Sequence, residues 1–109
     1  WDVPFVPTEL IRLLARGLAD ADAVVPESHG PRGIEPLCAG YGAGCAEPMR
    51  MAIEAGDLRA VGFHDRIRVA RIPASALDSL GGAETIFLNV NEPDDLRRAS
   101  ELAVRRGFR

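Results

Sequence analysis

Trp1-Asp2-Val3-Pro4-Phe5-Val6-Pro7 and Ile86-Phe87-Leu88-Asn89-Val90-Asn91-Glu92-Pro93-Asp94-Asp95-Leu96 are the stretches whose reading decides the fold. Each reads as a buried strand that ends in a polar residue and passes through proline into a helix. In open α/β sheets, ligands sit outside the carboxyl ends of the strands. Asp2, Asn89 and Asn91 occupy that kind of position. A carboxylate and two side-chain amides at adjacent strand ends suit Mg²⁺ and the phosphates of a nucleotide. Because Trp1 stands at what reads as a strand's end, an upstream half completing the sheet is expected.

Between these stretches, strands and helices alternate. Leu10, Ile11, Leu13, Leu14 and Leu18 form a helical stripe over residues 7–19, with Pro7 in its first turn. No preceding strand is long enough to cover that stripe, which again points upstream. Ala23–Pro26 reads as a short buried strand, Glu27–Gly33 as a turn-rich loop, and Pro36–Tyr41 as a second strand. Residues 43–55 read as a helix that opens near Gly44, with Pro48 in its first turn or starting it late, and Gly56 as its cap. A helical turn is expected around Leu58–Phe63. Arg66–Ile72 alternates with period two, a strand whose arginines face water. After a Gly81-Gly82 turn come the strand Ile86–Leu88 and a helix from Pro93 to about Arg106, with Leu96, Ala99 and Ala103 inward. Alternation of this kind predicts an α/β three-layer sandwich with a mainly parallel sheet, present as the incomplete carboxyl-terminal part (residues 1–109) of one domain.

Composition narrows the function classes. The chain has 109 residues, 47% hydrophobic and 27% charged, which suits one globular domain. A net charge of −3 gives no nucleic-acid footprint. All 13 basic residues are arginine, so a lysine-dependent phosphate site cannot be built from this chain alone. Cys38 and Cys45 lack CxxC spacing and read as reduced cytoplasmic thiols. No apolar run approaches membrane-spanning length.

Asp2 is the leading candidate for chemistry: a rigidly held carboxylate suits Mg²⁺, which would neutralise charge during phosphoryl or nucleotidyl transfer. Its alternative role is that of a helix N-terminal acid favoured by the dipole. Asn89 and Asn91 alternate along a strand and so share one face. Asp94 and Asp95 read as first-turn acids of the following helix. His29 sits in a Gly/Pro loop, and His64-Asp65 reads as a structural pair at a turn. There is no Gly-x-Ser-x-Gly, Walker loop, dinucleotide fingerprint or metal-ligand cluster.

The two end motifs, with Glu35-Pro36-Leu37-Cys38-Ala39-Gly40-Tyr41 between them, resemble the molybdenum cofactor guanylyltransferase family. Order and spacing match through essentially all 109 residues, over the carboxyl-terminal half of that family's domain. The resemblance implies a Rossmann-like nucleotidyltransferase that joins GMP from GTP to molybdopterin and releases pyrophosphate with Mg²⁺. It assigns Mg²⁺ to Asp2, places Asn89 and Asn91 at the active-site edge, and puts the Glu27–Glu35 loop and Pro36–Tyr41 toward the pterin. The family's glycine-rich triphosphate loop is absent from these residues, so the chain alone is expected to be inactive. Glu92 replaces a usual threonine cap before Pro93. Asn89-Val90-Asn91 favours GTP over CTP, since relatives using CTP more often show aspartates there. The competing reading is a non-catalytic α/β fragment that associates with another chain to complete a sheet.

Overall fold

Ala23-Val24-Val25-Pro26 is buried at every position and forms β1, the middle strand of the sheet. The structure is a computed structural model that describes residues 4–29, 33–88 and 93–105. β2 (Gly40–Tyr41) runs antiparallel to β1, with Ala23 opposite Tyr41. β3 (Val69–Ile72) runs parallel to it, with Ala23 opposite Val69 and Pro26 opposite Ile72. The order is β2-β1-β3, so the described sheet is mixed, not mainly parallel as expected. The strand expected over Pro36–Tyr41 shrinks to its last two residues. A turn precedes it, in which the Cys38 N–H donates to the Glu35 carbonyl.

The helices are α1 (Thr8–Gly17), α2 (Ala46–Glu54), α3 (Ala74–Asp78), α4 (Ala83–Ile86) and α5 (Pro93–Arg105). Pro7 is the extended cap of α1 instead of its first helical residue. Pro48 falls in the first turn of α2, where its missing N–H costs no helical bond. Gly56 follows that helix at φ +84°, the left-handed conformation that a glycine cap supplies. The turn around Leu58–Phe63 leads into a 3₁₀ turn over His64–Arg66. That turn takes Arg66 out of the expected strand, while Arg68 and Arg71 are exposed as predicted.

Ile86-Phe87-Leu88 is not a strand. The turn through Gly81 (φ +117°) and Gly82 (φ +84°) leads straight into α4. There the N–H of Ile86 donates to the Gly82 carbonyl and that of Phe87 to Ala83. A short apolar run is compatible with either a strand or a buried helical turn, and the glycine turn selects the helix. In α5, Ala99 is buried and Ala103 half-buried, but Leu96 is 59% exposed and does not face inward.

Successive strand residues point to opposite faces, and two separate cores result. One packs Leu10 and Leu14 of α1, Val24, Ile72, Leu77 of α3, and Ala83 and Ile86 of α4. The stripe of α1 is therefore covered by elements that follow it in sequence, and needs no upstream strand. Ile11, read as part of that stripe, is 57% exposed. The second core packs Ala23, Cys45, Ala52 of α2 and Phe63, with Tyr41 and Val69 against it. Helices lie on both faces of the sheet, the three layers that the alternation of elements predicts.

Candidate functional site

The carboxyl edge of the sheet is built where β1 and β3 end side by side. The Glu27 N–H donates to the Ile72 carbonyl at 2.9 Å, carrying the parallel pairing one residue past β1. The Glu27 carboxylate then accepts the Ala74 N–H at 3.0 Å, tying the end of β1 to the start of α3. The loop beyond is pinned at its base. Glu27 bridges Ile34, the Ser28 N–H donates to the Gly33 carbonyl at 2.9 Å, and the Glu35 N–H donates to the Pro26 carbonyl at 2.9 Å. His29 sits exposed on this loop, as its Gly/Pro surroundings suggested.

Asp2, Asn89 and Asn91, the three candidate site residues, lie outside the described residues, as does Glu92. Their described flanks converge. Val6, four residues after Asp2, and Phe87, two before Asn89, both pack against the Leu10–Ile86 cluster. Phe5 is buried as well. Val6 and Phe87 thus rest on one core although 80 residues of sequence lie between them. Asp94 and Asp95 fall in the first turn of α5, as read.

At the other edge of the sheet, Asp22 holds three elements together. Its Oδ2 accepts the Arg68 N–H at 2.9 Å, and its carbonyl accepts the Gly42 N–H at 2.8 Å and the Cys45 thiol at 3.2 Å. This role was not foreseen from the sequence. A carboxylate directly before a buried strand was the signal for it. Burial, then the neighbouring Asp22, pushes the Cys45 thiol up, which keeps it protonated. Cys38 is also raised, by burial and then Glu35. Both cysteines are free.

On the α2 face, Tyr41, Phe63 and His64 form an aromatic cluster with ring centroids 5.0–6.0 Å apart. The Tyr41 hydroxyl donates to the Pro36 carbonyl at 2.6 Å and lies 3.4 Å from His64 Nε2. Burial lowers the His64 pKa, favouring the neutral ring. Beside this cluster an open groove of about 340 Å³ runs between β2 and α2. Its polar lining is Asp57 and Arg59, which pair with each other at 2.7 Å. That pairing, with a second bond from Arg59 Nε, holds the half-buried Asp57 carboxyl down at about 2. The charged groups in its lining, Asp57 and Arg59, are thus engaged with each other.

Among the described residues no group of three or more His, Cys, Asp or Glu side chains is placed to hold a metal ion. No described helix is long and apolar enough to cross a membrane. Asp2, the expected Mg²⁺ ligand, lies outside those residues. As a donor set, one carboxylate with amide oxygens fits a hard cation that keeps waters and substrate phosphates in its shell.

Comparison with known proteins supplies the remaining evidence. No family model matches the chain. A probable molybdenum cofactor guanylyltransferase from Pelotomaculum thermopropionicum is 32% identical over 102 residues, covering 94% of this chain and 49% of the relative. A second probable molybdenum cofactor guanylyltransferase, from Bacillus licheniformis, is 38% identical over 96 residues, covering 87% and 47%. Among solved structures, molybdopterin-guanine dinucleotide biosynthesis protein A from Archaeoglobus fulgidus superposes with a TM-score of 0.78 at 31% identity. That match covers 95% of this chain and 53% of the other. The chain spans about half the length of the curated relatives it matches, in their carboxyl-terminal half.

Proposed function

Since the chain belongs to the molybdenum cofactor guanylyltransferase family, matching the carboxyl-terminal half of its members, we propose that it serves as the acceptor-side half of a Rossmann-like nucleotidyltransferase. The reaction is transfer of GMP from GTP to molybdopterin with release of pyrophosphate, in the cytoplasm. The observation that carries this reading is identity of 31% or more along 94–97% of the chain to proteins named for that activity.

In this reading Asp2 holds Mg²⁺, which when bound neutralises charge on the phosphates. Asn89 and Asn91 donate side-chain N–H groups to phosphate oxygens and fix the acceptor in line with the α-phosphorus. The Glu27–Glu35 loop and the Pro36–Tyr41 segment border the pterin. No residue of the chain acts as a nucleophile. The work is positioning and charge stabilisation, which supply most of the rate in phosphoryl and nucleotidyl transfer. The Leu10–Ile86 core serves this by fixing the flanks of both end motifs on one support. The triphosphate loop and the residues that read guanine belong to the part of the relatives that this chain does not span, so these 109 residues alone bind GTP poorly and do not turn over.

The test is transfer activity with GTP, Mg²⁺ and molybdopterin, using these residues joined to an amino-terminal half. Asp2→Ala is expected to abolish transfer, by about 10³-fold or more for lost charge stabilisation, with the melting temperature unchanged. Asn89→Ala and Asn91→Ala are expected to cost about 10-fold or more each, one lost phosphate contact in the transition state. Unchanged turnover in Asp2→Ala would remove that residue from the site. Transfer from CTP in preference to GTP would overturn the base assignment.

A further inference from the structure

We propose that Glu27 is a positioning residue for the acceptor, holding the loop over residues 27–35 where it borders the pterin, an inference that rests on the functional reading above and deepens it. The Glu27 carboxylate is half-buried and accepts the Ala74 N–H at 3.0 Å, across 47 positions of sequence. Ala74 opens α3, and the first N–H groups of a helix have no partner within it. Pro73, the residue before, supplies no side-chain cap. Glu27 therefore caps α3 from the end of the neighbouring strand, as a charge-assisted acceptor.

The attachment has two points. The Glu27 N–H donates to the Ile72 carbonyl at 2.9 Å, and its carboxylate takes the Ala74 N–H, so one residue clasps the β3–α3 corner on both sides of Pro73. A single bond would leave the loop free to pivot, whereas two set its direction. The corner itself is fixed, because Leu77 of α3 has no exposure and packs with Leu10 and Ile86. The other bonds at the base of the loop join residues between 26 and 35 to one another. They close the loop without orienting it against α3.

The place of this clasp connects it to binding. β1 and β3 run parallel, and the corner lies beyond their carboxyl ends, where ligands of open α/β sheets sit. A loop held in place before the ligand arrives spares binding the cost of ordering it. Without the carboxylate, molybdopterin has to order the loop itself, and its affinity falls. GTP, read by the part of the relatives that this chain does not span, is unaffected.

The experiment measures kcat, the KM of molybdopterin and the KM of GTP on these residues joined to an amino-terminal half, together with molybdopterin binding in the absence of nucleotide. Glu27→Ala is expected to raise the KM and Kd of molybdopterin about tenfold, the effect of one hydrogen bond to a charged acceptor. Its kcat and GTP KM are expected to stay within about twofold of the parent. Glu27→Gln keeps an acceptor oxygen and is expected to restore molybdopterin binding to within about twofold. Ala74→Pro removes the donor instead, at a first helical position that tolerates proline. It is expected to match Glu27→Ala, with no further loss in the double variant. A lower thermal midpoint without a change in the molybdopterin KM, equal losses for both substrates, or Glu27→Gln as impaired as Glu27→Ala would overturn the proposal. A parent protein that binds no molybdopterin would overturn the functional reading and this inference together. One that binds and transfers, while both variants bind as tightly, would overturn this inference alone.

Discussion

The two faces of the sheet are finished differently. On one, α1, α3 and α4 close an aliphatic core in which Leu10, Leu77 and Ile86 have no exposure at all. On the other, α2 covers a smaller core of Ala23, Cys45, Ala52 and Phe63, and an apolar groove remains open beside it. The first face is complete within the described residues. It is also the one that anchors Val6 and Phe87, the flanks of the two end motifs. The packed flanks of the end motifs and the open groove thus lie on opposite sides of one small sheet.

Substitutions can sharpen or break that contrast. The largest effect is expected from Leu77→Ala, which opens a cavity in the closed core and should cost about 2–5 kcal/mol in denaturant unfolding. A cost below about 1 kcal/mol would mean that this face is loosely packed and the contrast is lost. Next is Gly17→Ala, where α1 crosses β1 most closely. A Cβ there would stand 2.6 Å from the Val24 Cγ2, inside the buried core. Overpacking of this kind costs about 1–3 kcal/mol, more than the helix preference gained at a terminal position. A more stable Gly17→Ala would show that α1 has room to move.

On the open face a smaller, pH-dependent effect is expected. His64 is held below its ordinary pKa by burial, so the unfolded chain takes up the proton first as the pH falls through about 6.5. The contribution of the neutral ring is therefore intact above that value and is lost progressively below it. Urea midpoints of the parent chain should fall between pH 7 and pH 5 by more than those of His64→Gln. Identical pH profiles would show that the ring is not sheltered by Tyr41 and Phe63. The smallest effect is expected from Leu37→Ala, within about 0.5 kcal/mol in the isolated chain, because its side chain is already 89% exposed.

What the sequence made legible was local chemistry. The start and stop of α2 could be read from Pro48 and Gly56, because each acts through its own backbone. The β1 run declared itself by its apolar residues, and the Arg66–Ile72 reading found a strand over Val69–Ile72, although burial there does not alternate. What it concealed was decided by tertiary contacts. Ile86-Phe87-Leu88 is as apolar as a buried strand, and the positive-φ pair Gly81-Gly82 makes it the end of a helix. The stripe of α1 seemed to need an upstream strand because its cover, Leu77 and Ile86, follows more than 60 residues later. Leu96 was given to the core on spacing, but α5 buries little beyond Ala99. The packing of Val6 and Phe87 on one core and the roles of Glu27 and Asp22 were not readable, because the last two depend on which backbone amide each carboxylate meets across the sheet.

The most direct test of the account is molybdopterin-dependent release of pyrophosphate from GTP, measured side by side on the 109-residue chain and on the same residues joined to an amino-terminal half. The account predicts no release from the chain alone and Mg²⁺-dependent GMP transfer from the joined protein. Equal turnover by both, or none from the joined protein with its fold intact, would contradict it.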